Sequence, residues 1–279
     1  AELGAVDAEW VKALQTDTPS FRQDTWFLAD EELLGFVEIP AGSVRMGSDP
    51  ATDPMAFDNE RWSPQSPQGT VEVEAFYIGR YEVTVAQFSA FRQATGYGAG
   101  DLALGAPADH PVTGVSWTDA LAYSRWLEAE LRDSPLTPPE LLTRLSEGWS
   151  VSIPTEAQWE RAARGPDGRL YPWGDEPDPE LANFASRGTM PVGSRSCEAC
   201  SFGLSDMSGN VWEWTRSPYQ PYPYDPTDDR DDLEADALWV MRGGAFNDPP
   251  ELVRAASRGA GAPGVRRPFI GFRVVIARF

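Results

Sequence analysis

Between Gly203 and Thr215 the chain reads Gly-Leu-Ser-Asp-Met-Ser-Gly-Asn-Val-Trp-Glu-Trp-Thr, which sets Asp206, Asn210 and Glu213 beside two tryptophans. Carboxylates are seldom buried unless they are paired or bound to a metal, so something must hold these oxygens. One arrangement is a calcium ion, with Asp206 and Glu213 supplying charge and the backbone carbonyls of Gly209 and Val211 supplying neutral oxygens. The turn chemistry of Ser208-Gly209-Asn210 can aim such carbonyls inward. The other arrangement needs no ion, because the same side chains can stitch a loop through hydrogen bonds to backbone amides. Two carboxylates are fewer than most calcium loops use, and residue chemistry leaves both arrangements open.

Cys197 and Cys200 are the only cysteines and form a C-x-x-C. A thioredoxin-like redox pair would need the first cysteine at a helix N-terminus after a strand, and Ser194-Arg-Ser196 gives no such pattern. Zinc would need two more ligands, whereas the chain has one histidine and no second cysteine pair. A short loop staple is the favoured reading, which implies an oxidising compartment and hence a periplasmic or extracellular location. The single histidine, His110, lies in Asp-His-Pro with no nucleophile elbow nearby, so a serine hydrolase is excluded and His110 is read as structural.

The elements that must position these groups are short. With 25 glycines and 25 prolines in 279 residues, turns dominate and long helices are few. Gly35 to Gly47 alternates apolar and polar residues as a strand pair, and Val71 to Gly79 reads as a further strand. Helices are expected from Thr84 to Ala94 with Thr84 as cap, from Trp117 to Leu127 capped by Thr118 or Asp119, and from Glu156 to Arg164. Thr155 and Gln158 form a capping box for the last, and Gly165 ends it. Val6 to Thr16 has the pattern of a short helix.

A net charge of −20, from 43 acidic against 23 basic residues, excludes nucleic acid as a main partner. No stretch approaches the roughly 20 apolar residues that span a bilayer. Tyr219, Tyr222 and Tyr224, interleaved with prolines, form a stiff aromatic segment suited to a contact surface or to a loop laid over the core. Asp228-Asp-Arg-Asp-Asp232 is a solvated acidic turn.

The 203–215 motif resembles the central motif of the formylglycine-generating-enzyme (sulfatase-modifying factor) superfamily. So do Met46-Gly-Ser48, Tyr81-Glu-Val-Thr84, Pro111-Val-Thr-Gly-Val-Ser-Trp117, Ile153 to Glu160, Ala162-Ala-Arg-Gly165, Tyr171-Pro-Trp-Gly174, Arg242-Gly-Gly244 and Gly271-Phe-Arg-Val-Val275, all in family order. The resemblance implies an α+β fold, a loop-rich variant of the C-type lectin fold, over residues 36–279 after an N-terminal extension, 1–35. It also implies a calcium site at Asp206, Gly209, Val211 and Glu213, and structural roles for Arg254 and Arg273 in pairing with carboxylates. A second calcium site of the family would begin at Asn183-Phe184.

In catalytic members of that superfamily a cysteine pair beyond Arg-Gly-Gly binds copper and carries the oxidation of a substrate cysteine. The matching positions here are Asp248 and Val253, so no copper is expected, and no haem. A second branch holds iron with three histidines, which one histidine cannot supply. A third uses the segment between Arg-Gly-Gly and Gly-Phe-Arg for binding. Here Phe246, Asn247, Asp248, Arg258, Arg266, Arg267 and Phe269 mix aromatic anchors with arginine forks, the types enriched at protein contacts. On these grounds the sequence reads as a non-catalytic binding or accessory subunit with a protein partner. The alternative is a metal-dependent oxidase or hydroxylase of the superfamily.

Overall fold

The computed structural model describes residues 19–225 and 232–279. Among these are four α-helices, α1 (Val85–Thr95), α2 (Trp117–Asp133), α3 (Pro139–Ser146) and α4 (Glu156–Arg164). The strands are β1 (Phe36–Ile39), β2 (Gly42–Met46), β3 (Gly69–Val73), β4 (Phe76–Gly79), β5 (Ser150–Ser152), β6 (Trp212–Pro218), β7 (Trp239–Arg242), β8 (Arg258–Gly261), β9 (Ile270–Gly271) and β10 (Val275–Ala277). Three sheets form, ordered β1-β4-β10-β5, β2-β3 and β8-β7-β6-β9, antiparallel except for the β6–β9 pair. The candidate helix at 6–16 and most of the acidic turn at 228–232 lie outside the described residues.

The first sheet is covered on both faces, and side-chain alternation in its strands sorts two cores. Tyr77 and Ile276 point into a large cluster with Phe88, Tyr123 and Trp126 of α1 and α2. Their neighbours Phe76, Ile78 and Val275 point the other way, into a cluster with Ala157 and Trp159 of α4 and with the β2-β3 pair. Leu28 and Leu34 are buried in the first cluster, so residues 19–35 pack on the domain.

Two expectations from alternation change. The strands of 35–47 do not pair with each other: β1 pairs with β4 and β2 with β3. The single strand expected at 71–79 is likewise two. Ile39 faces Phe76 and Gly42 faces Val73, so one ribbon is interrupted in both chains at the same level. Pro40 has no N–H to offer a ladder there, and Arg161 of α4 donates to Pro40 O (2.6 Å) and Ser43 O (2.7 Å), fixing the break.

The helix at 117 is longer than expected, ending at Asp133, because Glu128 to Arg132 continue good helix formers. Its cap is Ser116, in a capping box with Asp119. Helix α3 arises inside the proline-rich 130–150 segment, where Pro139 occupies a first-turn position that needs no N–H. Both Thr84 with Gln87 and Thr155 with Gln158 form capping boxes.

Candidate functional site

Strand β6 is buried along its whole length, so Glu213 must be neutralised from inside the fold. Arg273, two residues after the β9 glycine, does this with a two-point fork: Nε to Oε2 and Nη2 to Oε1, both 2.6 Å. Trp159 Nε1 donates to the same Oε2 at 2.8 Å, tying α4 to β6. The other donors of Arg273 reach Gly79 O (3.0 Å) and Ser205 O (3.1 Å), so one guanidinium joins the first sheet to the 203–215 loop.

Two further carboxylates share this neighbourhood. Buried Glu82 accepts from Asn210 Nδ2 at 2.6 Å and from Val211 N at 3.3 Å. Half-buried Asp206 accepts from Gly193 N at 2.6 Å. Desolvation, with Asp206 and Glu213 nearby, raises Glu82 well above the usual carboxylate range. Desolvation also pushes Asp206 up to about 6, against the Gly193 hydrogen bond and Arg273, which pull it down.

Asp206 and Asn210 both adopt left-handed backbone, and Gly209 does too, with its Cα side against Asn183 O, where a Cβ would sit 2.2 Å away. Asn210 accepts from Asn183 Nδ2 (3.1 Å) and Met190 N (3.0 Å), locking the turn. The loop is stitched by hydrogen bonds, as in the ion-free arrangement, and Glu82, Asp206 and Glu213 lie near one arginine. Asp206 makes one hydrogen bond among the described residues. Glu213, by contrast, is already held by Arg273 and Trp159. Sequence reading missed Glu82, although it stands inside the Tyr81-Glu-Val-Thr84 match.

The positions of the copper cysteines do not fit copper. Val253 is fully buried in a small apolar cluster with Tyr171 and Phe184, and Asp248 offers oxygen where Cu(I) wants sulfur. Three-histidine iron does not fit either, since His110 Nδ1 meets Thr189 Oγ1 at 2.9 Å and has no histidine companion in the chain. Asp248 is nonetheless positioned. Its Oδ2 accepts from Trp212 Nε1 at 2.7 Å and Ala245 N at 2.9 Å, while its backbone carbonyl accepts from Ala185 N. Oδ1 makes no hydrogen bond among the described residues.

Several residues read as a contact face lie elsewhere. Arg258 is buried, forking onto Glu156 (Nε to Oε1, 2.6 Å), with its guanidinium over the Tyr222 ring at 4.0 Å. Tyr224 is core, Tyr222 packs against Trp62, and Tyr219 bonds Asn59, so the proline-tyrosine segment is laid over the body of the domain. The apolar ring area that suggested a docking surface is used internally, where burial is worth more. Arg266 pairs with Asp119 and Phe269 packs on the main core, which leaves Asn247 and Arg267 exposed and Phe246 half-buried. Cys197 and Cys200 are joined in a disulfide, and Ala199 O between them accepts from Arg169. Arg254 pairs with buried Asp53 and with Glu60.

The family profile described as sulfatase-modifying factor enzyme 1-like domain matches residues 27–278. Hercynine oxygenase of Mycolicibacterium smegmatis is 30% identical over 284 residues, spanning 85% of this chain but only 60% of that enzyme's length. Formylglycine-generating enzyme of Mycobacterium tuberculosis is 32% identical over 262 residues, spanning 68% of this chain and 76% of the enzyme. Among solved structures, PvdO from Pseudomonas aeruginosa superposes with a TM-score of 0.67 at 25% identity, covering 87% of this chain and 94% of PvdO. The architecture is thus the family's C-type-lectin-like fold. Named enzymes at this similarity overturn the non-catalytic reading, which rested on which cysteines and histidines are missing rather than on what stands in their place. Among the described residues no helix is long and apolar enough to cross a membrane. The chain belongs to the FGE-sulfatase family, whose domain is described as sulfatase-modifying factor enzyme 1-like.

Proposed function

We propose that this chain is an oxidative enzyme of the FGE-sulfatase family, an oxidase or hydroxylase that uses dioxygen without a copper–thiolate centre. The observation that carries this reading is the Asp248 carboxylate. One oxygen is held by Trp212 Nε1 and Ala245 N, and the other is left free at the position where the family resemblance puts a catalytic cysteine. A carboxylate fixed on one side and open on the other suits a general base, so Asp248 Oδ1 takes the proton released at the substrate atom being oxidised. The relatives named as an oxygenase and as a formylglycine-generating enzyme support the reaction class. Any metal in the reaction would be held through hard oxygen donors, because the chain has one histidine and its two cysteines are joined in a disulfide.

The reading includes a structural calcium ion on Asp206 and the backbone carbonyls of Gly209 and Val211, supported by the carboxylates of Glu82, Asp206 and Glu213 clustered near Arg273; Glu213, the fourth ligand that the resemblance implies, stays with Arg273. It also includes a periplasmic or extracellular location, supported by the Cys197–Cys200 disulfide. A protein substrate would reach Asp248 across its exposed neighbour Asn247.

The test is product mass. The protein, supplied with ferrous ion or with cuprous ion, is incubated in air with hercynine plus cysteine or with a cysteine-containing peptide. A mass change of the peptide by loss of sulfur and two hydrogens with gain of one oxygen, or an oxygenated hercynine–cysteine conjugate, that requires air and disappears in Asp248→Ala supports the assignment. Conversion that is equal in Asp248→Ala contradicts it.

A further inference from the structure

A cavity of about 650 Å3 opens between β2, the turn at 52–55 and the loop at 167–177. This volume is within the range of small-molecule sites, roughly 300–1,000 Å3. Its walls come from these three segments and from Gln68, which donates to Gly47 O (3.1 Å), and the three are tied together by buried arginines. Arg164 donates to Gly47 O (2.8 Å), next to β2, and to Gly168 O (3.2 Å) in the far loop. Arg254 holds Asp53, whose Oδ1 accepts from Met55 N at 3.1 Å. The cavity is therefore built into the fold and does not depend on a mobile loop closing.

Unlike charges line it without neutralising each other. Arg45 makes no side-chain hydrogen bond or ion pair among the described residues, and neither does the Glu176 carboxylate. Asp175 accepts only a long bond from Leu170 N, 3.4 Å. Arg169 also lines the cavity, but its donors are committed to Asp167, Pro172 O and Ala199 O. Between the two charged walls lie the apolar surfaces of Met55 and Leu170, which belong to the same small cluster as Tyr171 and Val253.

We infer that this cavity binds a dipolar ion of amino-acid or dipeptide size with an apolar body. Its carboxylate meets the Arg45 fork, its ammonium group meets Asp175 and Glu176, and its side chain lies on Met55 and Leu170. The overall charge of −20 repels a lone anion, so an anionic ligand that carries its own cation is the one this pair of walls accepts. The site is separate from Asp248 and does not rest on the oxidative reading. It is connected to that surface through the chain between them, because Tyr171 Oη donates to Pro250 O (3.1 Å) and Ala255 N to Leu170 O (2.8 Å).

Titration calorimetry with leucyl-leucine, N-acetyl-leucyl-leucine and leucyl-leucine amide tests the inference on the intact protein. The free dipeptide is expected to bind one to one, each blocked form at least about tenfold more weakly, since every loss of 1.4 kcal/mol is tenfold. Arg45→Ala should weaken the dipeptide about tenfold, and Glu176→Gln should weaken it less because Asp175 remains. Both positions are exposed, so circular dichroism should show an unchanged fold. Absence of binding by the dipeptide, equal affinity for all three probes, or unchanged affinity in Arg45→Ala would overturn the assignment.

Discussion

Arg273 grips Glu213 with two 2.6 Å hydrogen bonds in a site where both side chains are fully buried. That pair joins the end of the first sheet, strand β6 and, through Trp159, helix α4. Removing only one partner leaves an uncompensated charge in the interior, which typically costs about 3–5 kcal/mol. Arg273→Ala should therefore lower the urea midpoint by that equivalent. The double change Arg273→Met with Glu213→Leu should recover most of it, and a single variant as stable as the parent would show that the pair is not formed.

Asp206 gives a pH dependence with a definite sign. Its carboxyl is pushed up to about 6 in the fold, above the ordinary value of 3.8, so the folded state binds the proton more tightly than the unfolded chain. The corresponding stability is present below about 4 and lost as pH rises through about 6. Buried Glu82 is raised as well and acts in the same direction. In chelator, Asp206→Asn should be more stable than the parent at pH 7.5, with the gap closing towards pH 4. Added calcium should reverse the order at pH 7.5, because an ion at one hundred times its dissociation constant stabilises by about 2.7 kcal/mol. Thermal melts at the two pH values with and without calcium check both statements.

Helix α4 carries Trp159 to Glu213, so its start matters beyond its own turn. Thr155→Ala removes the hydroxyl that accepts from Gln158 N at 3.1 Å and should cost about 1 kcal/mol by chemical denaturation. Thr155→Ser should be close to neutral.

The disulfide closes a loop of only four residues. In the chain-entropy treatment so small a loop is worth about 2 kcal/mol. Replacing Cys197 and Cys200 with serine should lower the melting temperature by a few degrees and leave Asp248-dependent activity unchanged. A collapse of the fold would mean that the loop clamped by Arg169 depends on the bond.

The parts of the fold written in local patterns were legible. The caps at Thr84 and Thr155 follow from adjacent residues, and Arg254 and Arg273 follow from ordered motifs. Non-local choices were not legible: the alternation in 35–47 shows strands but not that β1 and β2 choose different partners. Arg258 and Tyr222 look like contact residues because exposed and buried use of an arginine and a tyrosine require the same side chains. Only the position of Glu156, 102 residues earlier, distinguishes them. Glu82 was hidden for a similar reason, since its closeness to Asp206 and Glu213 depends on packing of the 203–215 loop against β4. At Asp248 the sequence showed what was missing, a thiolate, and could not show that Trp212 and Ala245 would hold its carboxylate.

Dioxygen uptake tests the central claim most directly. An oxygen electrode follows the wild-type protein and Asp248→Ala with ferrous or cuprous ion and the substrates named above, with the metal and substrates alone as the blank. Substrate-dependent uptake by the wild-type protein, reduced at least about a hundredfold in Asp248→Ala, a loss within the 10²–10⁴ range for general-base catalysis, is the result the account predicts. Uptake no faster than the blank, or equal in the two proteins, would contradict it.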